Sequence, residues 1–238
     1  MLGEASMHNF DIIVEAAGVK ASVSERTGIR TAEVIREDDR WGRSFTVRLN
    51  GLDVFCKGAN WIPIDNFPHR RSRDDYDRLI GDAAECNMNM LRVWGGGLYE
   101  NEDFYAACDS LGVMVWQDMA FACGMFPADS AYLASVSAEV RDNIRRLRNH
   151  PSIVLWCGNN ENEISYFEWG WNRTLTGEQQ KDYEAGLRRL FYETIPEAIT
   201  MEDDTRYYHP SSPSTGHSGV PYSMGDAHFW SVSGTLRG

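Results

Sequence analysis

Residues 153–161 read Ile153-Val154-Leu155-Trp156-Cys157-Gly158-Asn159-Asn160-Glu161, an apolar run that ends in two amides and a carboxylate. Apolar side chains in unbroken succession predict a strand buried on both faces, the pattern of a parallel sheet. Burying the three polar groups in a core would cost roughly several kcal/mol unless each were paired. The end of this strand is therefore expected to line a cavity, with Glu161 serving as a helix N-cap partner as the alternative.

The same rhythm recurs on either side. Apolar runs at 54–59, 88–94, 113–116, Ile153–Cys157, Tyr207–His209 and 222–229 alternate with helix-like periods at 74–86, 101–110, 134–147 and 177–192. Strand–helix alternation of this kind means a parallel α/β sheet, doubly wound or closed into a barrel. No G-x-G-x-x-G follows the first strand, which removes the main support for a dinucleotide fold. Polar and aromatic residues instead gather where each strand ends: Asn60-Trp61, Arg92 with Trp94, Gln117-Asp118, Asn159 to Glu161, Ser211-Ser212, and Asp226 with His228 and Trp230. In a (β/α)8 barrel of the TIM type all such ends meet at one mouth. About six βα units are visible, so the barrel is expected to be incomplete.

Residues 1–47 read differently. Two short β runs flank Gly18, another covers 29–35, and Asn50-Gly51 is a hairpin signal joining 45–49 to 53–56. This is antiparallel structure, expected to be the tail of a β domain.

Composition narrows the function. The 238 residues carry 23 basic and 35 acidic side chains, a net charge of −12, which argues against nucleic-acid or anionic-membrane surfaces. No apolar run is long enough to span a bilayer. The N-terminal MLGEASMHNF lacks the features of a signal peptide, which favours a cytoplasmic setting. Five cysteines, Cys56, Cys86, Cys108, Cys123 and Cys157, form no C-x-x-C pair and are expected as buried free thiols. The six histidines lack metal-ligand spacing, so no metal or other cofactor is expected.

Individual motifs point to sugar chemistry. Arg92 and Trp94 stand beside the flexible Gly95-Gly96-Gly97, and Asp118 on the next strand could pair Arg92 and orient a catalytic carboxylate. Tyr166, Phe167, Trp169 and Trp171 crowd the stretch after Glu161, as a sugar-stacking wall or as loop packing. His217-Ser218-Gly219 lacks the second glycine of a nucleophile elbow and is rejected.

Five stretches together resemble β-mannosidases of glycoside hydrolase family 2: Lys57-Gly58-Ala59-Asn60-Trp61-Ile62-Pro63, Asn89 through Gly97, Cys108-Asp109-Ser110-Leu111-Gly112, Val115-Trp116-Gln117-Asp118, and the strand ending in Asn160-Glu161. Gly225-Asp226-Ala227-His228-Phe229-Trp230 resembles that family's sixth barrel strand, and the likeness runs from about Gly28 to Trp230. The resemblance implies that residues 1–47 are the last strands of an immunoglobulin-like β-sandwich domain. Residues 48–238 would be the N-terminal part of a TIM-barrel glycosidase domain. It implies retaining hydrolysis of terminal β-D-mannosides, the substrate being a β-mannoside or mannooligosaccharide. Glu161 matches the acid/base, Asn160 the neighbour that binds the sugar 2-hydroxyl, and Trp94 and Trp169 aromatic contacts around the terminal mannose. Arg92, Asp118 and Trp230 match the family's strand ends. The nucleophile would be a glutamate on strand seven, which lies past Gly238. The chain alone is thus expected to be inactive and to self-associate through its open edges. A family 2 β-glucosaminidase or β-galactosidase is the nearest alternative, and a noncatalytic sugar-binding unit the more distant one. The unbroken 92–97 and 117–118 motifs favour the mannoside.

Overall fold

A computed structural model describes residues 5–216 and 219–229. The chain opens with antiparallel β structure. Strands β1 (His8–Ala16) and β2 (Val19–Thr27) form a two-stranded hairpin, and β4 (Asp38–Asp39) pairs with β5 (Gly42–Arg43) between β3 (Ala32–Ile35) and β6 (Thr46–Leu49). A three-stranded sheet runs in the order β3, β6, β7, with β7 spanning Leu52–Val54. The β6–β7 turn is the Asn50-Gly51 pair expected from sequence, with φ of 50° and 77°. Two left-handed residues give the turn a twist that matches the strands it joins. The boundary expected after Val47 falls inside this hairpin.

Five parallel strands follow: β8 (Gly58–Trp61), β9 (Met90–Val93), β10 (Met114–Asp118), β11 (Ile153–Cys157) and β12 (Tyr207–His209), lying side by side in sequence order. Helices return the chain between them. They are α1 (Arg73–Glu85), α2 (Glu102–Leu111), α3 (Ser130–Leu147), α4 (Asn162–Phe167), α5 (Gly177–Arg188) and α6 (Ile195–Thr200). Their starts are fixed chemically: Ser72 and Asp75 form a capping box on α1, Thr176 and Gln179 another on α5, and Asn101 and Asp129 cap α2 and α3. The apolar faces of α1, α2, α3 and α6 pack on one side of the sheet, burying Tyr76, Ile80, Phe104, Val140, Ile144 and Ile199. Val47 of β6 packs with Met90, Met114 and Val154 in a second cluster, so β11 is covered on both faces as its unbroken apolar run requires.

Three sequence expectations need correcting. Residues 54–59 are not one strand. The hairpin claims Val54 opposite Val47, and the parallel strand begins at Gly58, where a Cβ would sit 1.6 Å from the Met90 carbonyl oxygen. Residues 222–229 form a turn, a single bridge from Met224 to Arg43 and irregular chain rather than a sixth strand. Gly225 has a φ of 76°, and Asp226 is tied by hydrogen bonds to Ser214 and Thr215 instead of to a ladder. All five cysteines are free, but Cys56 and Cys86 are exposed rather than buried.

Candidate active site

The carboxyl ends of the parallel strands open on a cleft of about 660 Å³, within the range of small-ligand sites. Arg92 of β9 organises its floor. Arg92 Nε donates to Asp118 Oδ1 at 3.2 Å and Nη2 to Asp118 Oδ2 at 2.8 Å, a bidentate pair with the buried last residue of β10. Burial works against the guanidinium charge, but the groups around it, Asp118 foremost with Asp226 farther off, together outweigh it and raise Arg92 above its ordinary value. Asp118 also accepts from Trp116 Nε1 at 2.8 Å and from the Gly95 amide at 3.0 Å, which fastens the glycine loop to β10.

Arg92 Nη2 donates further to Asn160 Oδ1 at 3.1 Å. That contact fixes the flip of the Asn160 amide, because a guanidinium offers only donors. The NH2 side then faces Glu161 Oε2 at 3.2 Å and Cys123 Sγ at 3.5 Å. Burial, then the neighbouring Glu161 carboxyl, push the Cys123 thiol up to about 11. Its Sγ lies 3.4 Å from Glu161 Oε2.

Glu161 occupies the N-cap position of α4, yet its side chain makes no capping bond. Its backbone is left-handed, with φ of 63°, and its amide donates to the Ser212 carbonyl at 2.7 Å. A non-glycine residue in that conformation is strained, and such strain collects at functional sites. The turn sends the carboxyl into the cleft, where Oε1 meets His228 Nδ1 at 2.7 Å.

Of the residues singled out in the sequence, Arg92, Trp94, Asn160 and Glu161 line the cleft and Asp118 is buried beneath them. Trp94 rests over Gly96, where an added Cβ would come within 1.9 Å of the indole. Trp169 is not among the lining residues; it is half-exposed and packs edge-on against Trp171 at 6.4 Å between ring centroids. Trp230 lies outside the described residues. Three lining or adjoining residues, Cys123, Ser212 and His228, had no assigned role in the sequence reading. The Asp226-x-His228 spacing was the available signal for the last of them.

Residues 99–206 match the family described as glycosyl hydrolases family 2, TIM barrel domain. Over those residues the chain is similar to the TIM-barrel domain of that family. It is 42% identical over 238 residues to a β-mannosidase B of Emericella nidulans, covering 97% of this chain and 28% of that protein. It is 39% identical to a β-mannosidase of Bos taurus, with 96% and 27% covered. A crystal structure of the β-D-mannosidase from Dictyoglomus thermophilum superposes with a TM-score of 0.84 at 41% identity, over 97% of this chain and 28% of that one. The chain spans less than a third of the length of those relatives. No helix among its described residues is long and apolar enough to cross a membrane.

Proposed function

We propose that this chain carries the acid/base side of a retaining exo-β-mannosidase acting on β-mannosides or mannooligosaccharides. The observation that carries the reading is the Glu161 carboxyl at the strand-end cleft, beside Asn160 and across from Trp94. In this role Glu161 protonates the glycosidic oxygen as the bond to C1 breaks, then takes a proton from water in the second step. Asn160, with its amide fixed by Arg92, is assigned to the sugar 2-hydroxyl, and Trp94 to the face of the terminal ring.

Retention needs a second carboxylate about 5–5.5 Å from the first. Asp226 also lines the cleft, but its Oδ1 accepts from His209 and the Ser214 amide and its Oδ2 from Ser212. A carboxylate so fully engaged is a poor nucleophile, so we assign the nucleophile to residues outside this chain. On the same reading residues 1–47 end an immunoglobulin-like domain, residues 48–238 begin the catalytic barrel, and Trp169 and Trp230 are assigned to substrate contact only by their match to the family's motifs.

The test is Glu161→Gln in the whole protein that carries this chain, assayed on aryl β-mannosides of graded leaving-group acidity. Turnover of poor leaving groups should fall by about 10²–10⁴-fold, the usual worth of general acid assistance. The loss should shrink for acidic phenols, which depart without a proton. Equal losses across the series would remove Glu161 from the role.

A further inference from the structure

We propose that Glu100 is a positioning residue for Trp94, the indole assigned above to the face of the terminal ring. It acts by tying the loop after β8 to the loop after β9 through Trp61. The inference rests on the glycosidase reading and deepens it, by naming what holds one wall of that site.

Glu100 stands near the end of the loop between β9 and α2 and is 1% exposed. Its Oε1 accepts from Nε1 of Trp61, the last residue of β8, at 3.1 Å. Its Oε2 accepts from the Tyr76 hydroxyl of α1 at 2.6 Å and from Arg71 Nη1, whose side chain is 8% exposed. Burial, then Glu100 itself, pushes the Tyr76 hydroxyl well up, so it keeps its proton and donates. Arg71 Nε donates in turn to the Pro68 carbonyl at 3.0 Å, within the loop after β8. One carboxyl thus joins the end of a strand, the loop that follows it and the first helix to the loop of the next strand. A buried ion pair often adds little net stability over an apolar filling of the same space, whereas its directional bonds admit few geometries.

The geometry so fixed leads into the cleft. Trp61 is flanked by Asn60 and Ile62, which both line it. The Trp61 carbonyl accepts the Trp94 amide at 3.1 Å, and the Trp94 carbonyl accepts the Gly97 amide at 3.0 Å. The two loops also touch directly, since a Cβ on Gly97 would come within 2.9 Å of Pro63 Cδ. On its other side the glycine loop is held by the Gly95 amide on Asp118. Trp94 therefore sits between two buried carboxyls, Asp118 and Glu100, each acting through a neighbour. Trp61 has an apolar seat as well, its ring centroid 4.8 Å from that of Phe104 and 6.2 Å from that of Tyr76. Apolar contact is non-directional. The bond from Nε1 to Glu100 sets the orientation of the ring, and with it the strand end that carries Trp94.

Glu100→Gln tests this in the whole protein. A glutamine carbonyl can serve either Trp61 or the Arg71 and Tyr76 donors, and the charged donor takes it. An NH2 group then faces Trp61 Nε1 and the strand end is released. The substrate is an aryl β-mannoside with a poor leaving group, whose slow chemistry lets KM follow binding. KM should rise about tenfold with kcat nearly unchanged. The leaving-group dependence should stay as in the parent, since Glu161 is untouched. The decisive arm is a cycle with Trp94→Ala. In that background Glu100→Gln should cost less than about twofold, because the residue it acts through is gone. Trp61→Phe keeps the apolar seat, lacks the donor and should repeat both results, so it decides the matter if Glu100→Gln does not fold. Additive losses in the cycle, or an unchanged KM in the folded variants, overturn the proposal and leave the acid/base reading standing. A Trp94→Ala variant that binds and turns over like the parent overturns the assignment of Trp94 to the sugar, and this proposal with it.

Discussion

Arg92 satisfies three partners at one point: the fork to Asp118, the single bond to Asn160, and the Trp116 ring 5.5 Å from its guanidinium carbon. A lysine would keep the charge but not the planar fork. Arg92→Lys should leave Asn160 free to flip and lower kcat/KM on aryl β-mannosides by about ten- to a hundredfold, the worth of one or two charged hydrogen bonds. Steady-state kinetics on the whole protein check this, and unchanged kcat/KM would show that the amide is held by other means. This group was legible in the sequence because each member follows an apolar run whose end a barrel turns toward its mouth. Cys123 was not, and Ser212 and His228 could be placed at a strand end but not given their contacts, for a physical reason. Cys123 reaches Glu161 through a strained backbone with φ of 41°, held by the bond from its amide to the Asn160 carbonyl, and nothing in its local sequence announces that turn. Ser212 and His228 are brought together by Asp226 across a loop, a tertiary event with no periodicity to read.

Between α6 and β12 a short segment fastens the sheet to its helices. Asp203 accepts from Trp156 Nε1 of β11 at 2.9 Å and from Arg206 Nη1 at 2.5 Å, while Arg206 reaches the carbonyls of Arg148, His150 and Ile153. Burial pushes the Asp203 carboxyl up, but Arg206, Thr205 and Trp156 outweigh it and lower it from 3.8 to about 2. A carboxyl that titrates lower when folded stabilises fully above its unfolded value and loses that contribution as pH falls through the folded one. Stability should therefore drop between about pH 4 and pH 2. Asp203→Asn should cost roughly 3 kcal/mol at neutral pH by stranding Arg206, and its melting curve should converge with the parent's at the acid end. A gap between the two that persists at pH 2 would place the effect elsewhere. At this scale most of the fold was readable, since unbroken apolar runs gave β9 to β12 and capping residues gave the helix starts. The failures share one cause. Residues 54–59 and 222–229 have strand-like composition, but the hairpin takes Val54 from the first, and the second gives Phe229 and His228 to the cleft while Asp226 anchors it by its side chain.

For the 238 residues on their own, the parallel sheet has β8 and β12 as its outermost described strands. Residues 58–60 of β8 are exposed, flanked by Phe55 at 84% and Ile62 at 60% exposure. The β1–β2 hairpin adds Ile12, Ile13, Val14 and Val23, each at least half-exposed. Unpaired strand groups beside apolar side chains form a template for further pairing, and no charge lies within β8 to block it. The opposing force is the net charge of −12, which acts over a Debye length of about 10 Å at 0.1 M salt. Salt screens that repulsion and leaves backbone pairing and apolar contact intact. Sedimentation of the isolated chain should thus show association that strengthens as salt is raised, and an aryl-mannoside assay of the same sample should show no turnover. Association that weakens with salt would mean ion pairs hold the copies together. A monodisperse, cooperatively melting monomer at every salt concentration would mean that the strand edges and the β1–β2 face are closed by contacts within the chain itself.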